Sequence, residues 1–136
     1  MLFCTILVIT LFGLFASGAP PTHDQRCEYY KKPTSACNNH WVFNKKSKVC
    51  EATCDTKAKF STKTACDGYC RSRAVCKAAR PVPSCSPGSQ VTVYYYDTTS
   101  KTCQSELGCG YTGNNFPTLK ECKETCEKGN AENSQL

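Results

Sequence analysis

The fold is decided by residues 76–126, which read CKAARPVPSCSPGSQVTVYYYDTTSKTCQSELGCGYTGNNFPTLKECKETC. Six cysteines divide this stretch into gaps of 8, 17, 5, 12 and 3 residues. A segment of about 50 residues buries too little apolar surface to be stable on its own, so it needs covalent cross-links. Six cysteines permit fifteen pairings, and spacing alone does not choose among them.

Two landmarks lie between these cysteines. An aromatic run, Tyr94-Tyr95-Tyr96, ends seven residues before Cys103, and Asn114-Asn115-Phe116 ends six residues before Cys122. With these landmarks the stretch resembles the Kunitz family, the fold of the pancreatic trypsin inhibitor. The resemblance implies a small disulfide-rich α+β fold in which a twisted β-hairpin precedes a C-terminal helix. It also implies the disulfides Cys76–Cys126, Cys85–Cys109 and Cys103–Cys122.

A second set of six cysteines precedes the first, and it carries similar landmarks. Trp41-Val42-Phe43 ends seven residues before the third cysteine of this set, and Phe60 lies six before the fifth. This internal repeat predicts two tandem Kunitz-like domains, a basic and degenerate one at residues 19–74 and a second at 75–128. The resemblance then implies the pairs Cys27–Cys70, Cys37–Cys54 and Cys50–Cys66. Only residues 71–75 separate the two sets, so we expect the domains to lie close together.

The two predicted helices differ in their first turns. Thr118 and Glu121 have the spacing of a capping box, whereas the first repeat has Thr62 followed by Ala65. The first helix also contains Gly68, which costs about 1 kcal/mol relative to alanine. We therefore expect the first domain to be the less stable one.

The N-terminus has the pattern of a targeting segment. Residues 2–15 are apolar and are followed by Ala16-Ser17-Gly18, which predicts a secretory signal peptide at residues 1–18. A membrane anchor is the alternative, but the run is shorter than the roughly 20 residues that a spanning helix needs. Removal of the signal takes Cys4 away and leaves twelve cysteines, an even number. We expect a secreted, extracellular monomer with six disulfides and a flexible tail at residues 129–136.

Charge distinguishes the two repeats. Residues 19–74 hold eleven Lys and Arg against five Asp and Glu, whereas residues 75–136 hold six of each. The first domain therefore carries a candidate basic patch, which would suit an anionic glycan, an anionic membrane surface or an acidic protein; the alternative is that these charges only favour solubility. Nucleic acid is not expected as a partner of an exported disulfide protein. The patch consists of Lys45, Lys46, Lys48, Lys57, Lys59 and Lys63.

Catalytic and metal chemistry find no support in the sequence. Zinc sites use Cys-x-x-Cys or paired histidines, whereas this chain has Cys-x-x-x-Cys pairs and the isolated His23 and His40. There is no glycine-rich phosphate loop, and each repeat is too small to carry a hydrolase site. We therefore predict a binding protein, not an enzyme, with no metal and no cofactor.

The resemblance also identifies a contact loop. In the Kunitz family the loop around the second cysteine enters a protease active site, and the residue after that cysteine fills the specificity pocket. Asn38 and Ser86 occupy this position here, whereas trypsin-like proteases require Lys or Arg. Ser86 is followed by Pro87, and Pro83 stands where the family has glycine. The candidate target-contact residues are Ser84, Cys85, Ser86, Pro87 and Asn38.

The lengths of both tips also depart from the family pattern. In the first repeat three residues are missing after Cys37 and four between Cys50 and Cys54, so this repeat is cropped; in the second, the segment 85–94 is two residues longer and the segment 103–109 two shorter. Tandem repeats with such altered tips are similar to salivary inhibitors of blood-feeding ticks, and the soft-tick thrombin and factor Xa inhibitors are the comparison. That resemblance implies a secreted serine protease inhibitor, an anticoagulant acting on host hemostasis by a non-substrate-like mode. It adds an N-terminal arm, residues 19–26, to the contact candidates, through Ala19, Pro20 and Pro21. The two prolines restrict the arm to extended shapes, and fully extended, eight residues span up to about 26–29 Å, enough to enter a cleft. The alternative function is a non-protease ligand, either an ion-channel modulator or a blocker of platelet or glycan contacts, that uses the basic first domain.

Overall fold

The computed structural model describes residues 21–80 and 84–128. The predicted signal peptide, the arm residues Ala19 and Pro20, Pro83 and the tail at 129–136 lie outside the described residues. Within the described part, no helix combines the length and the apolar character needed to cross a bilayer.

The first half, residues 21–74, opens with a 3-10 turn at Gln25–Cys27 and continues into a hairpin and a helix. Strands β1 (His40–Asn44) and β2 (Val49–Thr53) pair antiparallel, with Phe43 opposite Cys50. Helix α1 (Lys63–Cys70) follows, and Thr62 caps it by accepting the backbone N–H of Ala65.

The second half, residues 75–128, repeats this order. A 3-10 turn at Arg73–Lys77 leads from one half to the other. Strands β3 (Val91–Asp97) and β4 (Thr102–Gly108) pair antiparallel, and the β-branched and aromatic residues of β3 favour this conformation. Helix α2 (Leu119–Cys122) continues as a π-helical turn over Lys123–Glu127. The predicted fold class, a disulfide-rich hairpin with a C-terminal helix, is confirmed.

Each half has its own small core around one phenylalanine. Phe60 is 2% exposed and packs with Phe43 and four cysteines, while Phe116 is fully buried among Val75, Tyr96 and three cysteines. In each core, two disulfides fasten the hairpin and the N-terminal segment to the helix. A third bridge in each half lies at the partly exposed tip. The six bridges are Cys27–Cys70, Cys37–Cys54, Cys50–Cys66, Cys76–Cys126, Cys85–Cys109 and Cys103–Cys122.

The outer edge of β3 is covered by the segment that precedes α2. Tyr94 and Phe116 exchange both backbone hydrogen bonds, at 2.9 and 2.7 Å. Two residues along, the buried Asn114 side chain accepts the Tyr96 N–H at 2.8 Å and donates to the Tyr96 carbonyl at 2.9 Å. The register of the repeat puts Ala58 at the corresponding place in the first half, and alanine has no amide to do this.

The predicted capping box of α2 is only half formed. Thr118 Oγ1 accepts the backbone N–H of Glu121 at 3.1 Å, as expected. The Glu121 carboxylate does not return to the helix start; it accepts a hydrogen bond from Arg71 Nε at 2.7 Å. A partly buried ion pair with a residue 50 positions away therefore replaces the local bond, and in it both the donor and the acceptor are charged.

The two halves are in direct contact. Arg71 and Ser72, the first residues after α1, are 5% and 1% exposed. Arg73 still belongs to the first half, and its backbone N–H donates to the carbonyl of Lys48 in the β1–β2 turn at 2.8 Å. The backbone N–H of Gly113 donates to the carbonyl of Gly68 in α1 at 2.8 Å. Gly68, which we expected only to weaken α1, thus lies against the second half.

Candidate functional site

The second tip, the region closed by Cys85–Cys109, carries four of the candidate contact residues. Ser84, Ser86 and Pro87 are exposed, and Cys85 is half-buried. The carbonyl of Ser86 accepts both the backbone N–H of Ser89 at 3.1 Å and its hydroxyl at 2.7 Å. Gly88 has φ of 80°, so residues 86–89 have the features of a type II β-turn with proline and glycine in the middle. The chain therefore reverses immediately after Ser86 and does not run on as an extended, substrate-like strand.

A cationic side chain in the segment before the second tip binds to the hairpin and to the segment that precedes α2. Arg80 stacks over the Tyr95 ring at 3.7 Å from the centroid, donates to Asn115 Oδ1 at 2.8 Å and pairs with Glu106. It lies five residues before Cys85. Sequence reasoning did not single out Arg80, because its three partners lie far from it along the chain.

The first tip, closed by Cys37–Cys54, presents a different surface. Asn38, the residue directly after Cys37, is exposed and carries no charge. Beside the bridge, Ser35 Oγ and Cys54 Sγ lie 3.0 Å apart. A shallow polar cleft of about 310 Å³ adjoins this tip, and it is lined by Lys31, Lys32, Thr34, Ser35, Thr53, Cys54, Asp55 and Thr56.

The arm is folded where the structure describes it, so the expectation of an eight-residue extended arm is wrong. Asp24 caps the 3-10 turn by accepting the Arg26 N–H at 2.9 Å, and His23 pairs with Glu28. The Thr22 carbonyl accepts a hydrogen bond from Arg71 Nη2 at 2.7 Å. Local side-chain caps of this kind compete with extended backbone. Only Pro21, which is exposed, and the residues before it precede this anchor.

The six lysines of the predicted basic patch fall into separate groups. Lys45, Lys46 and Lys48 belong to the β1–β2 turn, where Lys45 pairs with Glu28. Lys63 lies in the first turn of α1 and pairs with Asp67 at i,i+4. Lys57 and Lys59 follow the open end of β2; both are exposed, and the buried Ala58 lies between them.

A groove of about 500 Å³ runs past Lys57 and Lys59, and Gln25, Arg26 and Tyr29 line its other parts. The Arg26 guanidinium lies 4.7 Å from the Phe60 ring centroid and 4.3 Å from that of Tyr69. Arg26 also binds Asp24 through its side chain, and this bond is the main reason why the pKa of Asp24 is lowered. The charge of Arg26 is therefore already compensated, whereas Lys57 and Lys59 present theirs to solvent.

Tyr29, one of the residues that line the groove, is hydrogen-bonded to the carboxylate of Asp55. The Tyr29 hydroxyl donates to Asp55 Oδ2 at 2.6 Å. This bond is the largest cause of the lowered pKa of Asp55 and of the raised pKa of Tyr29. Asp55 also accepts the backbone N–H of Lys57 at 2.9 Å, so it fixes the start of the loop that carries the two lysines.

Within residues 21–80 and 84–128, no cluster of His, Cys, Asp or Glu is arranged to hold a metal ion.

Comparison with known proteins identifies a family for the second half and relatives that align over most of the chain. The Kunitz/bovine pancreatic trypsin inhibitor domain model matches residues 75–127. Tissue factor pathway inhibitor 2 of Bos taurus is 30% identical over 113 residues, which is 76% of this chain and 47% of that protein. Ixolaris of Ixodes scapularis is 31% identical over 102 residues, which is 65% of this chain and 58% of that protein. The chain thus spans about half the length of these curated relatives.

A solved structure of Ixolaris was also found, described with its Factor X interaction as a noncanonical mechanism of Kunitz inhibition. It is 26% identical and covers 71% of this chain and 88% of its own, with a TM-score of 0.28. The family model, by contrast, matches the part of the chain that contains the second hairpin, helix α2 and three disulfides, so residues 75–127 form a domain of the Kunitz/bovine pancreatic trypsin inhibitor family.

Proposed function

We propose that this chain is a secreted binding protein, not an enzyme, that inhibits a serine protease of host coagulation by a non-substrate-like mode. The observation that carries the mode is the turn at residues 86–89, closed by the Ser86–Ser89 hydrogen bonds. A substrate-like inhibitor needs extended chain on both sides of the scissile bond, and here the chain turns away after Ser86. Ser86 and Asn38 also offer no charge to a trypsin-like pocket. The names of the relatives, a tissue factor pathway inhibitor and Ixolaris, support a coagulation target.

We further propose two tandem Kunitz-type domains, at residues 19–74 and 75–128, behind a cleaved signal at 1–18. Support comes from the repeated order of hairpin, helix and three disulfides in each half. The first domain is a cropped version, with Ala58 in place of Asn114. Contact with the target would be made by the second tip and by the start of the arm, in a manner similar to the soft-tick salivary inhibitors.

The test is a progress-curve inhibition panel with the refolded, disulfide-complete chain from Ala19 to Leu136. Factor Xa and thrombin are the candidate targets and trypsin is the comparison protease. We expect inhibition of a clotting protease without comparable inhibition of trypsin. We also expect Ser86→Ala to leave that inhibition within about threefold, because a non-substrate-like mode does not use the specificity pocket. Strong trypsin inhibition that Ser86→Ala abolishes would refute the proposed mode, and inhibition of neither clotting protease would refute the coagulation target.

A second candidate function rests on the groove beside Lys57 and Lys59. Two exposed ammonium groups on the rim of a groove suit an anionic partner, such as a glycan, a platelet surface or a channel vestibule. Elution from immobilised heparin separates the two candidates. Lys57→Glu with Lys59→Glu should elute at clearly lower salt than Lys77→Glu with Lys101→Glu, the matched control in the neutral half. Equal elution would exclude a specific role of the groove.

A further inference from the structure

A buried guanidinium lies at the junction between the two halves. Arg71 Nε donates to Glu121 at 2.7 Å, Nη1 donates to the Tyr111 carbonyl at 2.8 Å, and Nη2 donates to the Thr22 carbonyl at 2.7 Å. The three acceptors belong to α2, to the loop after Cys109 and to the arm. The planar, five-donor guanidinium of arginine can serve three directions at once, whereas a lysine ammonium acts as a single point charge.

The backbone of Arg71 argues against a purely local role. Arg71 ends α1 with φ of 51°, in the left-handed region. Glycine is the residue that ends a helix there at least conformational cost. An arginine in this position is therefore not accounted for by the end of the helix, and its three side-chain bonds supply the reason for it.

Two of these bonds lead toward the candidate contact segments. Tyr111 lies two residues after Cys109, whose disulfide partner Cys85 carries the second tip. Thr22 directly follows Pro21, the last residue of the arm before the anchor. One side chain at the end of the first half thus holds both the arm and the support of the second tip.

We infer that Arg71 is a positioning residue that fixes the arm and the second tip relative to each other, so that the target-facing surface is a composite of both halves. The kind of partner that this surface fits is a folded protein wide enough to touch both segments. That consequence for target binding rests on the proposed function, whereas the physical coupling of the two halves does not.

The coupling has a built-in reporter, the Gly113 amide, which bonds to the Gly68 carbonyl across the junction. Amide exchange of Gly113 in the free, full mature chain therefore measures how often the junction opens. Residual dipolar couplings of the two hairpins measure whether the halves share one orientation. Neither readout needs a target.

The decisive variant is Arg71→Gly, because it removes the three side-chain bonds while relieving the left-handed backbone. We expect Gly113 exchange to rise about 10- to 100-fold, from the loss of hydrogen bonds to a charged group. We expect the two hairpins to lose their common alignment, and Arg71→Lys to lie between this variant and wild type. Lys120→Ala is the matched control and should change neither readout, because it removes an exposed cation that precedes Glu121 in the sequence and pairs with Glu124.

If Arg71 only ended the helix, Arg71→Gly would leave exchange and alignment unchanged, and that result would overturn the inference. Glu121→Gln provides a second test that keeps the Arg71 backbone as it is; it should raise Gly113 exchange about 3- to 10-fold, and no rise would also count against the inference.

Where a clotting protease is inhibited, Arg71→Gly should weaken that inhibition at least tenfold more than Lys120→Ala does; equal inhibition would refute the composite surface. Where none is inhibited, the proposed function fails and the coupling is still decided by exchange and alignment.

Discussion

Gly108, the last residue of β4 before Cys109, is a position where one methyl group should disturb the second tip. A Cβ on Gly108 would lie 2.9 Å from Val93 Cγ2 and 3.0 Å from Val93 Cγ1. Carbon atoms pack at about 3.5–4.0 Å, so the neighbours must separate by roughly 0.5–1 Å. Val93 is fully buried, and its branched side chain is restricted at χ1. We therefore expect Gly108→Ala to destabilise the second half by about 1–3 kcal/mol.

Thermal unfolding in guanidinium chloride, followed by circular dichroism, measures this effect. For a domain of this size, the expected change lowers the midpoint by on the order of 10 °C. Gly110→Ala is the matched control on the other side of Cys109, because a Cβ there meets nothing within 4 Å; it should stay within about 0.5 kcal/mol of wild type. Val93→Ala makes room for the new methyl, so the double variant should recover at least about 1 kcal/mol relative to the sum of the singles. Additive effects, or a neutral Gly108→Ala, would refute the steric reasoning.

Three further predictions concern the tip, the arm and pH. Replacing both Pro87 and Gly88 by alanine removes the preferred turn residues, so residues 86–89 should lose their defined turn, seen as averaged amide shifts in NMR spectra; an unchanged Ser89 amide would contradict this. Deleting residues 19–21 should leave Gly113 exchange within about twofold of wild type, because the Thr22 carbonyl stays bonded to Arg71, whereas deletion through His23 should raise it several-fold. The pKa values of Asp24 and Asp55 are lowered in the folded chain, so they stabilise it above the ordinary carboxyl range, and this stabilisation is lost as pH falls through their lowered values. The unfolding midpoint should therefore drop more between pH 5 and pH 2 in wild type than in Asp55→Asn, and parallel pH profiles would contradict the assignment.

The architecture of each half was predictable because short-range signals agree with one another. The aromatic run of β3, the turn residues after Asp97 and the cap at Thr118 all indicate the same hairpin and helix. The cysteine spacing then leaves little freedom for the chain between them. The Kunitz domain at residues 75–127 could be recognised for this reason.

What the sequence did not predict are contacts between residues far apart and one local turn. Glu121 has the spacing of a capping box, yet its carboxylate binds the guanidinium of Arg71, 50 residues earlier. No periodic pattern in the sequence indicates such a long-range pair. The arm was predicted from its two prolines as extended, but Asp24 offers a local cap that folds it. The turn after Ser86 did have a signal, since Pro87-Gly88 is the central pair of a type II turn.

The amide of Asn114 has a consequence for how copies of this protein meet. The Asn114 amide binds the outward N–H and C=O groups of Tyr96, and the backbone of Phe116 binds those of Tyr94. At these two residues β3 therefore has no free backbone groups to which a further strand could bond. Exposed strand edges are the usual starting points of intermolecular sheet growth. The first half has Ala58 at the equivalent place, so its β1 edge lacks this side-chain seal. Self-association through this kind of edge should therefore begin at β1 of the first half and not at β3 of the second.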